Sequence, residues 1–138
     1  MMKDIKIVIG ANAGDEGKGL MTDYFSQKPN SIVVCSNGGS QRGHTVMTPD
    51  GIRHVFHHFG SGTFNGAVTY LPKEFIVNPL IFVQEFKELI NKGVVPIVYA
   101  HSDCMVSTPY DMMANHIVEE NRGKQKHGSC GLGIFETI

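Results

Sequence analysis

The chain has 138 residues with 12 basic and 13 acidic side chains, a formal net charge of −1. That length suffices for one α/β domain with its own core, and the near balance of charge excludes the basic surface that a nucleic-acid polymer requires. No apolar run approaches the roughly 20 residues of a membrane span, and Met1-Met2-Lys3-Asp4 runs on without a signal-peptide core, so the expectation is a cytoplasmic protein with no membrane partner.

In chain order, Ile5 to Ile9 is a short β-branched run ending at Gly10, the pattern of a buried strand in a mostly parallel sheet. A glycine-rich loop follows, and Lys18 to Phe25 begins a helix whose N-terminal amides would face an anion. Ser31 to Cys35 reads as a second buried strand, delivering the loop Gly38 to Thr45 to the sheet edge where open α/β folds bind ligands. His54 to His57 and Ala67 to Leu71 read as strands separated by the turn-rich Gly60 to Gly66.

Asn78-Pro79 is a helix start with Asn as cap and Pro at the first turn. The helix runs from about Leu80 to Lys92 with Phe82, Phe86, Leu89 and Ile90 on its apolar face, and Gly93 ends it. Val94 to Ala100 reads as a strand in which Pro96 demands an edge or a bulge. Thr108-Pro109 opens a last helix with Met113, Ile117 and Val118 as its apolar stripe, closed by Asn121-Arg122-Gly123. The expected architecture is α/β, a P-loop-like, mostly parallel sheet with flanking helices.

The segment Asn12-Ala13-Gly14-Asp15-Glu16-Gly17-Lys18-Gly19 nearly makes a phosphate-binding loop. The Walker A pattern G-x-x-x-x-G-K-[ST] cradles phosphates in its backbone, with a Lys on their oxygens and a hydroxyl on Mg²⁺. Gly17-Lys18 stand where that pattern wants them, but Asn12 replaces the first Gly and Gly19 the Ser/Thr. A metal would need another hard oxygen, and Asp15 is the candidate inside the loop.

This loop resembles the W-G-D-E-G-K-G-K signature of adenylosuccinate synthetases. Gly38-Gly39-Ser40-Gln41-Arg42-Gly43-His44-Thr45 is similar to that family's G-G-x-N-A-G-H-T, His57-His58-Phe59-Gly60-Ser61-Gly62 to its H-L-I-P-S-G, and Gly128-Ser129-Cys130-Gly131-Leu132-Gly133-Ile134 to its G-T-T-G-R-G-I-G. The four segments come in family order and span nearly the whole chain.

The resemblance implies a ligase of purine nucleotide biosynthesis that joins L-aspartate to IMP, with GTP (or ATP) as phosphoryl donor and Mg²⁺ as cofactor. Oxide is a poor leaving group, so the 6-oxygen is first phosphorylated, which needs a base near N1 and positive charge around the moving phosphoryl group. The resemblance makes Asp15 that base and a metal ligand, and His44 the second catalytic residue, donating to the 6-oxygen as a general acid. By the same resemblance Lys18 would neutralise phosphate charge and the Gly43 carbonyl would be a second metal ligand. The nucleotide-binding set that the resemblance implies is Gly14, Asp15, Glu16, Gly17, Lys18, Gly19, Leu20, Gln41, Arg42, Gly43, His44, Thr45, Ser129 and Cys130. Family members are homodimers. Much more chain follows this part in them, so residues 1–138 are expected to be the N-terminal nucleotide-binding portion of a longer enzyme.

Other chemistry-bearing residues have plainer readings. His57 and His58 are adjacent on extended chain and point to opposite faces, so they cannot easily share an ion. His101, Asp103 and Cys104 lack a second ligand pair and read as loop chemistry. Cys35, Cys104 and Cys130 are odd in number and widely spaced, so they read as free thiols. Met105, Met112 and Met113 read as core filler.

The sequence departs from the family pattern mainly around the substrate nucleotide. Ala13 replaces Trp, Leu20 the second Lys of G-K-G-K, Gln41-Arg42 replace Asn-Ala, Cys130 a phosphate-binding Thr and Leu132 an Arg. A thiol is a weaker donor than a hydroxyl, and Ser129 stands beside it to take over. Two alternatives follow. One is a dGMP-using synthetase of the phage type that makes 2-aminoadenine nucleotides. The other is a module that binds nucleotide and Mg²⁺ without turnover.

Overall fold

Local chemistry sets the helix starts in this protein, and a computed structural model describes residues 4–12, 14–36 and 38–138 of it. The stretch Met1-Met2-Lys3 and the Trp-replacing Ala13 lie outside the described residues. Helix α1 spans Lys18–Phe25, preceded by Gly17 in the left-handed region at φ 73°, a conformation glycine adopts without penalty. Helix α2 spans Pro79–Asn91, and the side chain of its cap, Asn78, accepts the amides of Leu80 and Ile81. Helix α3 spans Pro109–Asn121 behind a reciprocal capping box between Thr108 and Asp111.

The main sheet has three strands in the order β1 (Ile32–Val34), β4 (Val68–Leu71), β6 (Val98–Ala100), both pairings parallel. An antiparallel hairpin of β2 (His44–Met47) and β3 (Arg53–Phe56) and a short parallel pair of β5 (Ile76–Val77) with β7 (Met105–Val106) complete it. A 3-10 helix, Ser61–Asn65, occupies the turn-rich patch, and a last short helix, α4, covers Ile134–Thr137. The expected mixed α/β fold with a parallel sheet and flanking helices is therefore present. Pro96 has its predicted effect, since β6 starts only at Val98 and is an edge strand.

Two apolar clusters hold these layers together. Val46, Phe56, Phe59 and Leu89 form one, with Phe64, Phe82 and Phe86 packed on it; Cys35, Leu71 and Phe75 form the other, and Val98 touches both. Each large side chain so buried contributes roughly 1.5–3 kcal/mol relative to exposure.

Four readings from periodicity are corrected. Ile5 to Ile9 makes no strand among the described residues, and Ile5, Ile7 and Ile9 are exposed; a β-branched run becomes a strand only when a ladder partner accepts it. Strand β1 is not buried on both faces, because Ile32 and Val34 are exposed while Val33 and Cys35 turn inward. On α3 the apolar residues Met113, Ile117 and Val118 are exposed, and Asn115 and Glu119 are the buried ones. Those two polar side chains face the loop before α4, whose amides and hydroxyl need acceptors. Ile90 on α2 and Met113 on α3 are likewise exposed rather than core.

Candidate functional site

The first glycine-rich loop is built on backbone conformations that its sequence permits. Gly14 lies at φ 123° and Asp15 at φ 50°, and Asp is among the few side chains that tolerate the left-handed region. Glu16 closes the loop, accepting the amide of Asn12 and pairing through Oε2 with Lys18 Nζ at 2.7 Å. The Lys18 ammonium, with the Asn12 amide, holds the Glu16 carboxyl below the usual carboxylate range. Asp15 is exposed, and no hydrogen bond or ion pair engages its carboxylate among the described residues. Nothing stands within 4 Å of a methyl group built on Gly14 or Gly17, so the loop presents an open cradle.

The second loop is brought against the first by one close approach. Gly19, the buried residue in the first turn of α1, sits against His44, where a Cβ would stand 2.8 Å from that of the histidine. His44 opens β2 and is half-buried. Burial, then the charges of Arg42 and Lys18, hold its imidazole below the ordinary histidine value, so it is neutral at pH 7 and offers one N–H and one lone pair. Gly39 bridges to Ile76 at the end of the sheet region, where a side chain would collide with the Ile76 carbonyl at 2.7 Å. Gln41, Gly43 and Thr45 are exposed beside His44.

Arg42 turns the other way. Its guanidinium donates to the carbonyl oxygens of His57 and Phe59 and to Cys35 Sγ, and lies 5.0 Å from the centroid of Phe75. Its side chain therefore ties the loop to the core, leaving its backbone on the loop side.

The third segment is held by α3. Ser129 Oγ donates to Asn115 Oδ1 at 2.7 Å, and Glu119 accepts the amides of His127 and Gly128 at 3.0 and 3.1 Å. Gly133, at φ 67°, presses on the first turn of α3, where a Cβ would stand 2.4 Å from the Asp111 carbonyl carbon. Cys130 is exposed and free. Leu132 reaches the second loop across a cavity of about 150 Å³ that it lines together with Ser40, His57, Ile81 and Glu85. The three segments are thus linked in sequence, the first to the second through Gly19 and His44, the second to the third across this cavity.

One buried residue was not anticipated. Glu85, 2% exposed, sits on the apolar face of α2 and accepts the amides of His57, His58 and Phe59 at 2.9, 2.7 and 3.4 Å. His54 Nε2 and His58 Nδ1 face it at 3.6 and 3.5 Å, longer than full hydrogen bonds. The ring tautomers follow from the other nitrogens: Lys92 donates to His54 Nδ1 at 2.8 Å, and His58 Nε2 accepts the Asn78 amide at 3.0 Å. Burial alone would raise the Glu85 pKa, but the imidazoles and amides outweigh it and bring it down to about 2. The signal in the sequence was an acid set among Phe82, Phe86 and Leu89 on one helical stripe.

The remaining candidates have ordinary roles. His101 Nδ1 accepts the Asp103 amide, and Cys104 Sγ donates to backbone carbonyls, which is turn chemistry. Among the described residues no three His, Cys, Asp or Glu side chains gather to hold a metal, and no helix is long and apolar enough to cross a membrane.

Known proteins resemble this chain along nearly its full length. A family model for adenylosuccinate synthetase matches residues 7–138. The adenylosuccinate synthetase of Borrelia duttonii (strain Ly) is 32% identical over 130 residues, which cover 94% of this chain and 30% of that protein. That of Mesoplasma florum is 38% identical over 133 residues, covering 95% and 30%. Among solved structures, the fully ligated adenylosuccinate synthetase from Plasmodium falciparum matches with a TM-score of 0.76 at 22% identity, over 91% of this chain and 30% of that one. The succinoaminodeoxyadenylate synthetase of cyanophage S-2L, bound to dGMP and dATP as an energy donor, matches at 0.60 and 18% identity, over 75% and 29%. The chain spans about three tenths of the length of the curated relatives it matches. With its signature loops in order and its fold shared, the chain belongs to the adenylosuccinate synthetase family.

Proposed function

We propose that this chain supplies part of the active site of a GTP-dependent ligase that joins L-aspartate to IMP through a 6-phosphoryl intermediate. The observation that carries the proposal is the contact of Gly19 with His44, which sets the first turn of α1 against His44. The N-terminal amides of α1 and Lys18 would meet the phosphates of the nucleoside triphosphate. Asp15, free of protein partners among the described residues, would take the N1 proton of the purine. His44, neutral and half-buried, would donate a hydrogen bond to the 6-oxygen as charge builds there.

Magnesium fits this loop. It asks for hard oxygens, uses one or two carboxylates and fills its remaining positions with phosphate and water, so the lack of a three-ligand cluster among the described residues is no obstacle. The exposed Asp15 carboxylate and the Gly43 carbonyl are the residues that would hold it. When bound, it would neutralise charge on the transferred phosphoryl group. Ser129, next to Cys130, would turn its hydroxyl from Asn115 Oδ1 to donate to the phosphate of the monophosphate substrate. A homodimer of the complete enzyme in the cytoplasm belongs to the same reading.

A dGMP-using synthetase is the second reading, favoured by the replacements Gln41, Cys130 and Leu132 around the substrate nucleotide. A third, nucleotide and Mg²⁺ binding without turnover, suits the chain taken by itself. Isotope transfer tests the chemistry: IMP labelled with ¹⁸O at position 6 is incubated with the complete enzyme, GTP and aspartate. The proposal requires the label in the released inorganic phosphate. Label appearing there only from 6-¹⁸O-dGMP would select the second reading, and no ligation with either would reject both.

A further inference from the structure

We infer that Glu85 is a positioning residue for the nucleotide loop, holding Gly43 and His44 in place through the backbone and ring of His57. The inference rests on the reading of Gly43 and His44 as site residues. Its basis is a closed circuit of contacts. On one side of the 57–59 segment the Glu85 carboxylate accepts three successive amides, from His57, His58 and Phe59. On the other side the Arg42 guanidinium donates to the carbonyl oxygens of His57 and Phe59. The segment is thus gripped between opposite charges.

His57 passes this constraint on. Its Nδ1 lies 2.5 Å from the Arg42 carbonyl oxygen and 3.1 Å from that of Ser40; because both neighbours are acceptors, Nδ1 carries the hydrogen. Arg42 and His57 therefore bond reciprocally, each through its side chain to the other's backbone. Gly43 and His44 follow Arg42 directly, so the loop that presents them is fixed at its base. A merely apolar stripe on α2 would have packed with Leu or Met at position 85. A carboxylate there costs desolvation unless its oxygens are satisfied, and here its hydrogen-bond donors are the amides of the very segment that braces the loop.

Glu85→Gln and His57→Phe cut the circuit at two points. Both variants are expected to shift the ¹H–¹⁵N amide signals of Gly43 and His44 in the labelled protein. In the complete enzyme they should lower kcat on the order of 10- to 100-fold while KM for the nucleotides changes less. Lys87→Gln, on the exposed face of the same helix, should move neither. Variants that fold with unchanged Gly43 and His44 signals and wild-type kcat, losing only thermal stability, would overturn the inference. If Glu85→Gln does not fold, His57→Phe decides on the same two readouts. A wild-type enzyme without ligase activity would refute the proposed function, whereas the amide signals would still decide the role of Glu85.

Discussion

Gly19 and His44 meet without a gap: a methyl group on Gly19 would stand 2.8 Å from His44 Cβ and 3.2 Å from its backbone. Real side chains do not pack that closely, so a residue with a Cβ at position 19 must push α1 away from β2. Gly19→Ala is expected to destabilise the fold by about 1–3 kcal/mol, the usual cost of overpacking. It should also weaken nucleotide binding, because the helix start and His44 would no longer face one ligand together. Chemical denaturation and calorimetric titration with GTP check the two effects. An unperturbed affinity in a destabilised variant would separate the contact from the site.

Glu85 predicts an acid transition. Its folded-state pKa of about 2 lies below the ordinary 4.5, so its stabilisation is fully present above about pH 4.5 and is lost as the pH falls through 2. A shift of that size corresponds to about 3 kcal/mol. Denaturation curves between pH 5 and pH 2 should show the wild type losing that stability, with Glu85→Gln much flatter over the same window. Parallel curves would mean that other carboxylates carry the acid sensitivity.

Helix α3 depends on its cap. The Thr108 hydroxyl and the Asp111 carboxylate bond each other and each other's backbone, with the Asp111 carboxylate 2.7 Å from the Thr108 amide. Thr108→Ala should cost about 0.5–2 kcal/mol by urea denaturation. Since Asn115 and Glu119 hold the loop that carries Ser129, hydrogen exchange at Gly128 and Gly131 should rise in the same variant. A change in stability with no change in exchange would show that the loop is held independently of the helix start.

What the sequence disclosed and what it hid divide by range. The caps at Asn78 and Thr108 and the start of α1 at Lys18 were legible because capping chemistry acts within a few residues. The four motif segments were legible as a family signature. The Ile5 to Ile9 run shows the limit of local pattern, since five mostly β-branched residues do not say whether a ladder partner is there. On α3 the stripe Met113, Ile117, Val118 pointed to the wrong face, because Asn115 and Glu119 are buried for their hydrogen bonds. The partners of Glu85 and of the inward-turned Arg42 were hidden for the same reason: they lie 28 and 15 residues away along the chain, and only the fold brings them near, although the acid on the apolar stripe of α2 was itself in view.

The proposed chemistry depends most directly on Asp15. It is exposed and free of partners among the described residues, so Asp15→Ala should leave the fold intact, losing no contact and adding only the backbone strain of Ala at φ 50°, about 1 kcal/mol. The decisive measurement is steady-state formation of the aspartate adduct from IMP, GTP and L-aspartate with Mg²⁺ by the complete enzyme, wild type beside Asp15→Ala. Turnover is expected in the wild type and none above background in the variant. Turnover retained in a folded Asp15→Ala enzyme would contradict the assignment of that loop to catalysis.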